Sequence, residues 1–143
     1  MNITTLFEND LTKLANEISL FKDEKSLWET KEGITNSAGT LTLHLLGNLN
    51  HFIGKTLGGT DYVRNRDEEF SLRNVPQAKL ISGINEVKES IKHSLSNLSP
   101  EDLQKDFPIK MRDEVHSTQI MLVYLLAHFN YHLGQVNYLR RMM

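Results

Sequence analysis

The stretch Ser117–Met143, STQIMLVYLLAHFNYHLGQVNYLRRMM, decides the fold. Ser117 or Thr118 can cap the free amides of a helix, and the pattern that follows predicts one long helix reaching nearly to Met143. At ~100° per residue, Met121, Leu125 and Leu139 share a sector with His128 and His132, and Gln135 lies close by. His128 and His132 are four apart, so they project from one face ~40° from each other. Two histidines therefore sit on the apolar, inward stripe of the last helix.

Working back from that helix, three more stripes appear. Phe7, Leu11, Leu14, Ile18 and Phe21 recur at steps of four and three, the pattern of an amphipathic helix from about Thr4 to Lys25. Trp28 and the Gly33–Gly39 stretch form a connection. A second helix starts near Ser37 or Thr40, carries Leu41, Leu45, Leu46, Leu49, Phe52 and Ile53, and stops at Gly58-Gly59. Thr60 to Val75 is polar, charged and irregular. Pro76 fits the first turn of a third helix striped by Leu80, Ile84, Val87, Ile91 and Leu98. Ser99-Pro100-Glu101-Asp102 reads as a cap and one short turn, and the alternation of Phe107, Ile109 and Met111 as a brief extended segment. Four amphipathic helices predict an all-α four-helix bundle, residues 1–143 as a single domain. The connections between helices two and three, and three and four, are too long for a simple up-down-up-down order. One or two crossovers are expected.

Composition narrows the function classes. The 143 residues carry 16 Lys+Arg against 18 Asp+Glu, a formal charge of -2, which argues against a general nucleic-acid binder. There is no cysteine, so disulfides, thiolate catalysis and Cys-ligated zinc are excluded. No apolar run approaches the ~20 residues of a membrane span. Met1–Asp10 holds acidic residues and no basic run before an apolar segment, unlike a signal peptide. The expectation is a cytoplasmic protein with no membrane partner.

The histidines carry the chemistry. Two inward imidazoles one turn apart need partners, because a buried polar group without one is costly. A hydrogen-bonded core histidine is the ordinary account of either alone; as a pair at i, i+4 they can also share one metal ion. The second helix offers a third ligand in His44 or His51, seven apart on one face with Asn48 between them. His93 and His116 fall on exposed or connecting segments. His128-Phe129-Asn130-Tyr131-His132 lacks the glutamate of a zinc protease, and the two Glu-x-x-His pairs of a di-iron bundle do not occur. A three-histidine site with open positions is what remains, an arrangement catalytic in form. Gln135 is placed to orient a ligand. Arg64 and Arg66 in the second connection can hold an anionic group or be neutralised by Asp67, Glu68 and Glu69. Gly47 and Gly134 lie inside helices, where close helix approach would account for them.

Leu43-His44-Leu45-Leu46-Gly47-Asn48-Leu49, together with Ala127-His128-Phe129-Asn130-Tyr131-His132-Leu133-Gly134-Gln135, resembles the DinB/YfiT-like superfamily of small metal-binding four-helix bundles. The order of one histidine on the second helix, then His-x3-His and Gly-Gln on the fourth, spans the whole chain. The stretches Asn48–Phe52 and Arg64–Phe70 are similar to an uncharacterised subfamily of that group. The resemblance implies an up-down-down-up bundle, a homodimer, and a divalent metal held by His44, His128 and His132. It implies nickel or zinc most often, and imidazole ligands alone do not choose between them. Characterised relatives include S-transferases and isomerases that use low-molecular-weight thiols such as bacillithiol or mycothiol. A metal-dependent thiol transferase or hydrolase is thus one expectation. A non-enzymatic metal-binding or dimerisation module of the stress-response type is the other, since fold does not fix function.

Overall fold

The computed structural model describes residues 2–143. It is all-helical, with α1 (Ile3–Ser19), α2 (Ala38–Leu49) continuing into a π-helical turn (Asn50–Lys55), α3 (Arg66–Ser71), α4 (Gln77–Ser96), α5 (Pro100–Gln104) and α6 (Thr118–Met142). Helix starts follow side-chain capping. Asn2 accepts from the Thr5 amide, Ser37 from Thr40 and Ser117 from Ile120. Ser99 and Asp102 form a reciprocal capping box on α5.

Packing places α1 and α2 each against both α4 and α6. The four stripes meet in one core: Phe7, Leu11, Leu14 and Ile18 from α1, Leu45 and Leu49 from α2, Leu80, Ile84 and Ile91 from α4, and Leu122 and Phe129 from α6 are all sealed from solvent. α2 is buried along nearly its whole length. That seclusion puts any polar side chain on α2 in a low-dielectric setting, where it needs a partner.

Three expectations change. The first helix ends at Ser19, not near Lys25. Gln77 Nε2 donates to the Ile18 carbonyl at 2.7 Å, and the chain turns there while still burying Phe21 and Leu27. A side-chain donor from α4 thus takes a carbonyl at the end of α1, and Phe21 completes the stripe from a turn. The polar connection is not wholly irregular either. Asn65 caps α3 by accepting from the Glu68 amide, with Asp67, Glu68 and Glu69 in the first turn where the helix dipole favours acids. The extended segment at Phe107–Met111 is part of a small hairpin. Arg112 and Asp113 both take left-handed backbone conformations, and Met111 and Glu114 exchange backbone hydrogen bonds at 2.9 Å. No helix of the described residues is long and apolar enough to cross a membrane.

Phe129 points into the core one residue after His128, so the packing of α6 and the placement of its histidines are one problem. Phe129→Ala should cost about 3–5 kcal/mol in urea unfolding, whereas Val123→Ala, on the exposed face, should stay within about 0.5 kcal/mol.

Candidate metal centre

The heart of the molecule brings His44 of α2 against His128 and His132 of α6. One ring nitrogen of each lies within 4.8 Å of the other two. His44 is buried and the α6 pair half-buried. The rings meet edge to face, with centroids 5.1 Å apart for His44–His128, 5.3 Å for His44–His132 and 4.7 Å for His128–His132.

Two of the three rings are fixed from behind. His44 Nδ1 lies 3.1 Å from Glu69 Oε1. An ionised carboxylate only accepts, so the Nδ1 carries the hydrogen and the lone pair of His44 is at Nε2. His132 Nδ1 donates in the same way to Gln135 Oε1 at 2.7 Å. His44 Nε2 faces His128 Nε2 at 3.2 Å. His128 Nδ1 is buried and has no hydrogen-bond partner among the described residues. Burial pushes His128 down to about 4, with the neighbouring His132 and His44 adding to the effect. His44 is lowered as well, burial outweighing the opposite pull of Glu69. Both rings are therefore neutral near pH 7, the form that presents a lone pair to a cation.

Glu69 is the residue that the sequence did not single out. It enters from α3, is itself buried, and is gripped by Arg64, whose Nε donates to Oε2 at 2.9 Å and whose second guanidinium nitrogen donates to Oε1 at 3.0 Å. The two-pronged grip fixes the carboxylate in direction as well as place. Of the roles open to Arg64, the structure chooses the internal ion pair. Arg66 stacks over Phe70, 5.1 Å from its ring centre, and Phe70 in turn lies 4.9 Å from His44. Arg73 donates to the Phe70 and Leu72 carbonyls.

The two helix glycines part company. Gly47 lies one turn beyond His44, and a Cβ there would overlap the Glu69 carboxylate. The space is kept for that carboxylate, so the close helix approach that the sequence suggested is made here by a side chain of α3. Gly134 has nothing within 4 Å of where its Cβ would stand, so close approach does not account for it. His51 stands apart from the histidine cluster, in the π-helical turn, its ring 4.8 Å from Phe52 and its Nδ1 buried without a partner. His93 and His116 also lie outside the cluster, the latter beside Tyr124.

These three imidazoles fit a divalent cation. Three ring nitrogens converge, two of the rings with the opposite nitrogen already bonded, and the carboxylate behind His44 is the usual support of a metal-bound histidine. Three protein nitrogens leave coordination positions free, as in catalytic zinc sites.

Comparison with known proteins agrees with this picture at the level of the fold. A family profile described as "Protein of unknown function (DUF1572)" matches residues 3–143. The chain is similar in structure to a DinB-like protein from Bacillus cereus ATCC 10987, with a TM-score of 0.72 and 17% identity over 93% of this chain and 85% of that one. The fold is DinB-like. No curated protein matches the sequence.

Substitution of the glycines separates their roles. Gly47→Ala should expel the Glu69 carboxylate and destabilise the protein by about 1–3 kcal/mol, the cost of a disrupted buried polar contact. Gly134→Ala should instead stabilise it by about 0.5–1 kcal/mol, by helix propensity alone. Paired thermal melts would show opposite shifts; equal losses would contradict this assignment.

Proposed function

We propose, for a chain that belongs to the DUF1572 family of proteins of unknown function, that His44, His128 and His132 hold a divalent metal ion, nickel or zinc. The observation that carries the reading is the convergence of the three imidazoles with Nδ1 of His44 and of His132 tied back to Glu69 and Gln135. In this reading residues 1–143 form one four-helix domain, up-down-down-up, whose crossovers bring α3 and its glutamate to the centre. A metal at such a site lowers the pKa of a bound thiol or water and polarises a substrate atom. The activity that follows is a metal-dependent transferase of the thiol type, or a hydrolase.

The chain's own residues supply orientation. Glu69 sets the tautomer of His44 and strengthens it as a donor, Gln135 does the same more weakly for His132, and Arg64 holds Glu69 in place. Leu45, Leu49, Leu125 and Phe129 are buried on the two helices that carry the histidines.

A second reading is a non-enzymatic module that binds metal or assembles as a homodimer, and one observation favours it. On the outer face of α6, Ile120, Tyr124, Tyr131 and Tyr138 are exposed and share the solvent side of a single helix. A run of large apolar side chains on one exposed face marks an interaction surface. If this face joins two copies, Tyr124→Glu should convert a dimer to a monomer in sedimentation; a wild-type monomer would remove the dimer from the reading.

Metal content tests the first reading directly. Elemental analysis of untagged protein, purified without nickel resin or chelator, should give close to one divalent ion per chain. His128→Ala should abolish it, and His51→Ala should leave it unchanged. Glu69→Gln should weaken binding by about 10–100-fold. A metal-free wild type that stays metal-free after reconstitution would overturn the proposal.

A further inference from the structure

A buried polar atom without a hydrogen-bond partner is rare and calls for a reason. Among the described residues, Asn48 Oδ1 and His128 Nδ1 are two such atoms. Asn48 is 7% exposed and stands in a helix buried along nearly its whole length. The helices that carry the two residues run antiparallel. Leu41 on α2 lines a cleft of about 480 Å³ with His132, Gln135 and Leu139 of α6, and further along α2 His44 meets His128, earlier on α6. Asn48 is one turn beyond His44 and, at ~100° per residue, falls in direction between His44 and Leu41, both of which face α6. Side chains lean toward the N-terminus of their helix. Asn48 therefore leans back toward the His44 turn, and His128 toward the turn that Asn48 faces. The cleft is lined by neither Asn48 nor His128, so its solvent is not the missing partner of either atom.

The chemistry of His128 says what that partner must do. His44 carries its hydrogen on Nδ1, toward Glu69, so its Nε2 presents a lone pair. His128 Nε2, 3.2 Å away, donates to it, and this leaves His128 Nδ1 a buried acceptor. When both Nε2 atoms turn lone pairs to one cation, the His128 hydrogen leaves Nε2 for solvent and another is taken up at Nδ1. The ring stays neutral, and its Nδ1 becomes a buried donor. His44 keeps one tautomer throughout, whereas His128 has two, and only a group that both donates and accepts satisfies both. A carboxamide is such a group. Its Nδ2 donates to the Nδ1 lone pair in one form and its Oδ1 accepts from Nδ1–H in the other, exchanged by a half-turn of its soft last torsion. We infer that Asn48 is the positioning residue of His128 and answers both tautomers of that ring, directly or through one buried water. The inference rests on the metal reading above and supplies the support that His128 lacks beside Glu69 for His44 and Gln135 for His132.

The test titrates zinc into the full chain labelled with nitrogen-15 at histidine, where ring nitrogen shifts report the tautomer and the metal-bound atom. In the wild type, zinc should move the His128 hydrogen from Nε2 to Nδ1, and that Nδ1–H should exchange slowly with water. Asn48→Leu keeps the volume and removes the polar atoms. It should bind zinc about 10–100-fold more weakly and lose the slow Nδ1–H signal. Its metal-free form should melt no lower than the wild type, because an unpartnered buried group leaves with the side chain. Asn48→Asp keeps an acceptor in the same place and should bind zinc at least as tightly as the wild type, which preserves the test if Asn48→Leu folds poorly. His51→Ala should leave the His128 signals unchanged. A wild type that takes up no zinc would defeat the metal reading itself. With zinc bound, ligation of His128 through Nδ1 would overturn the role of Asn48. So would undiminished affinity in Asn48→Leu, or an affinity for zinc in Asn48→Asp below that of the wild type.

Discussion

Everything at the centre of this molecule depends on one carboxylate being buried in one orientation. Glu69 rests where Gly47 lacks a side chain, takes both prongs of the Arg64 guanidinium, and accepts from His44 Nδ1. Burying an ion pair in this way is a poor means of stabilising a fold, because desolvation cancels most of the attraction. What it supplies is definition. Removing either charge leaves the other stranded, so α3 has one seat on α2 and His44 has one tautomer. The geometry of the imidazole cluster follows from that seat.

The helices were legible because burial imposes a period that composition cannot hide. The stripes of α1 and α6 run where spacing placed them, that of α4 does so as far as Ile91, with Leu95 buried in its last turn and Leu98 beyond its end at Ser96, and the inward pair His128 and His132 emerged from the same arithmetic. Its failures were tertiary. Phe21 keeps the helical spacing and is buried from a turn, because a glutamine on α4 captures the carbonyl of Ile18. His44 and His51 share a helical face, and nothing in their spacing selects one. Their height along α2 selects, since His44 lies level with the α6 pair while His51 falls in the π-helical turn near Phe52.

Glu69 was hidden for a different reason. It stands in an acidic run, Asp67-Glu68-Glu69, that reads as a solvated stretch, and its partner His44 is 25 residues away. Asn65 ahead of three acids is a helix-start signature, and recognising it would have placed Glu69 one turn into a helix. Gly47 was the other signal. A glycine inside a leucine-rich helix costs about 1 kcal/mol, and something must enter the space it leaves. Close packing was the natural guess, and a carboxylate is what fills it. Gly134 follows no such logic, and nothing in the structure explains it.

The support of the two anchored imidazoles is unequal, and the inequality has a direction. His44 is backed by a full negative charge that is itself clamped, within a helix buried along nearly its entire length. His132 is backed by the neutral amide of an exposed glutamine one turn along its own helix, and it borders the open cleft. A carboxylate raises the basicity of an imidazole more than an amide does, so His44 is the stronger and stiffer donor and His132 the weaker and more compliant one. The rigid charged support lies away from the cleft and the soft neutral one beside it. Under the proposed metal reading, a ligand entering from the cleft would thus meet the donor that can yield, while the opposite side of the cluster would keep its shape.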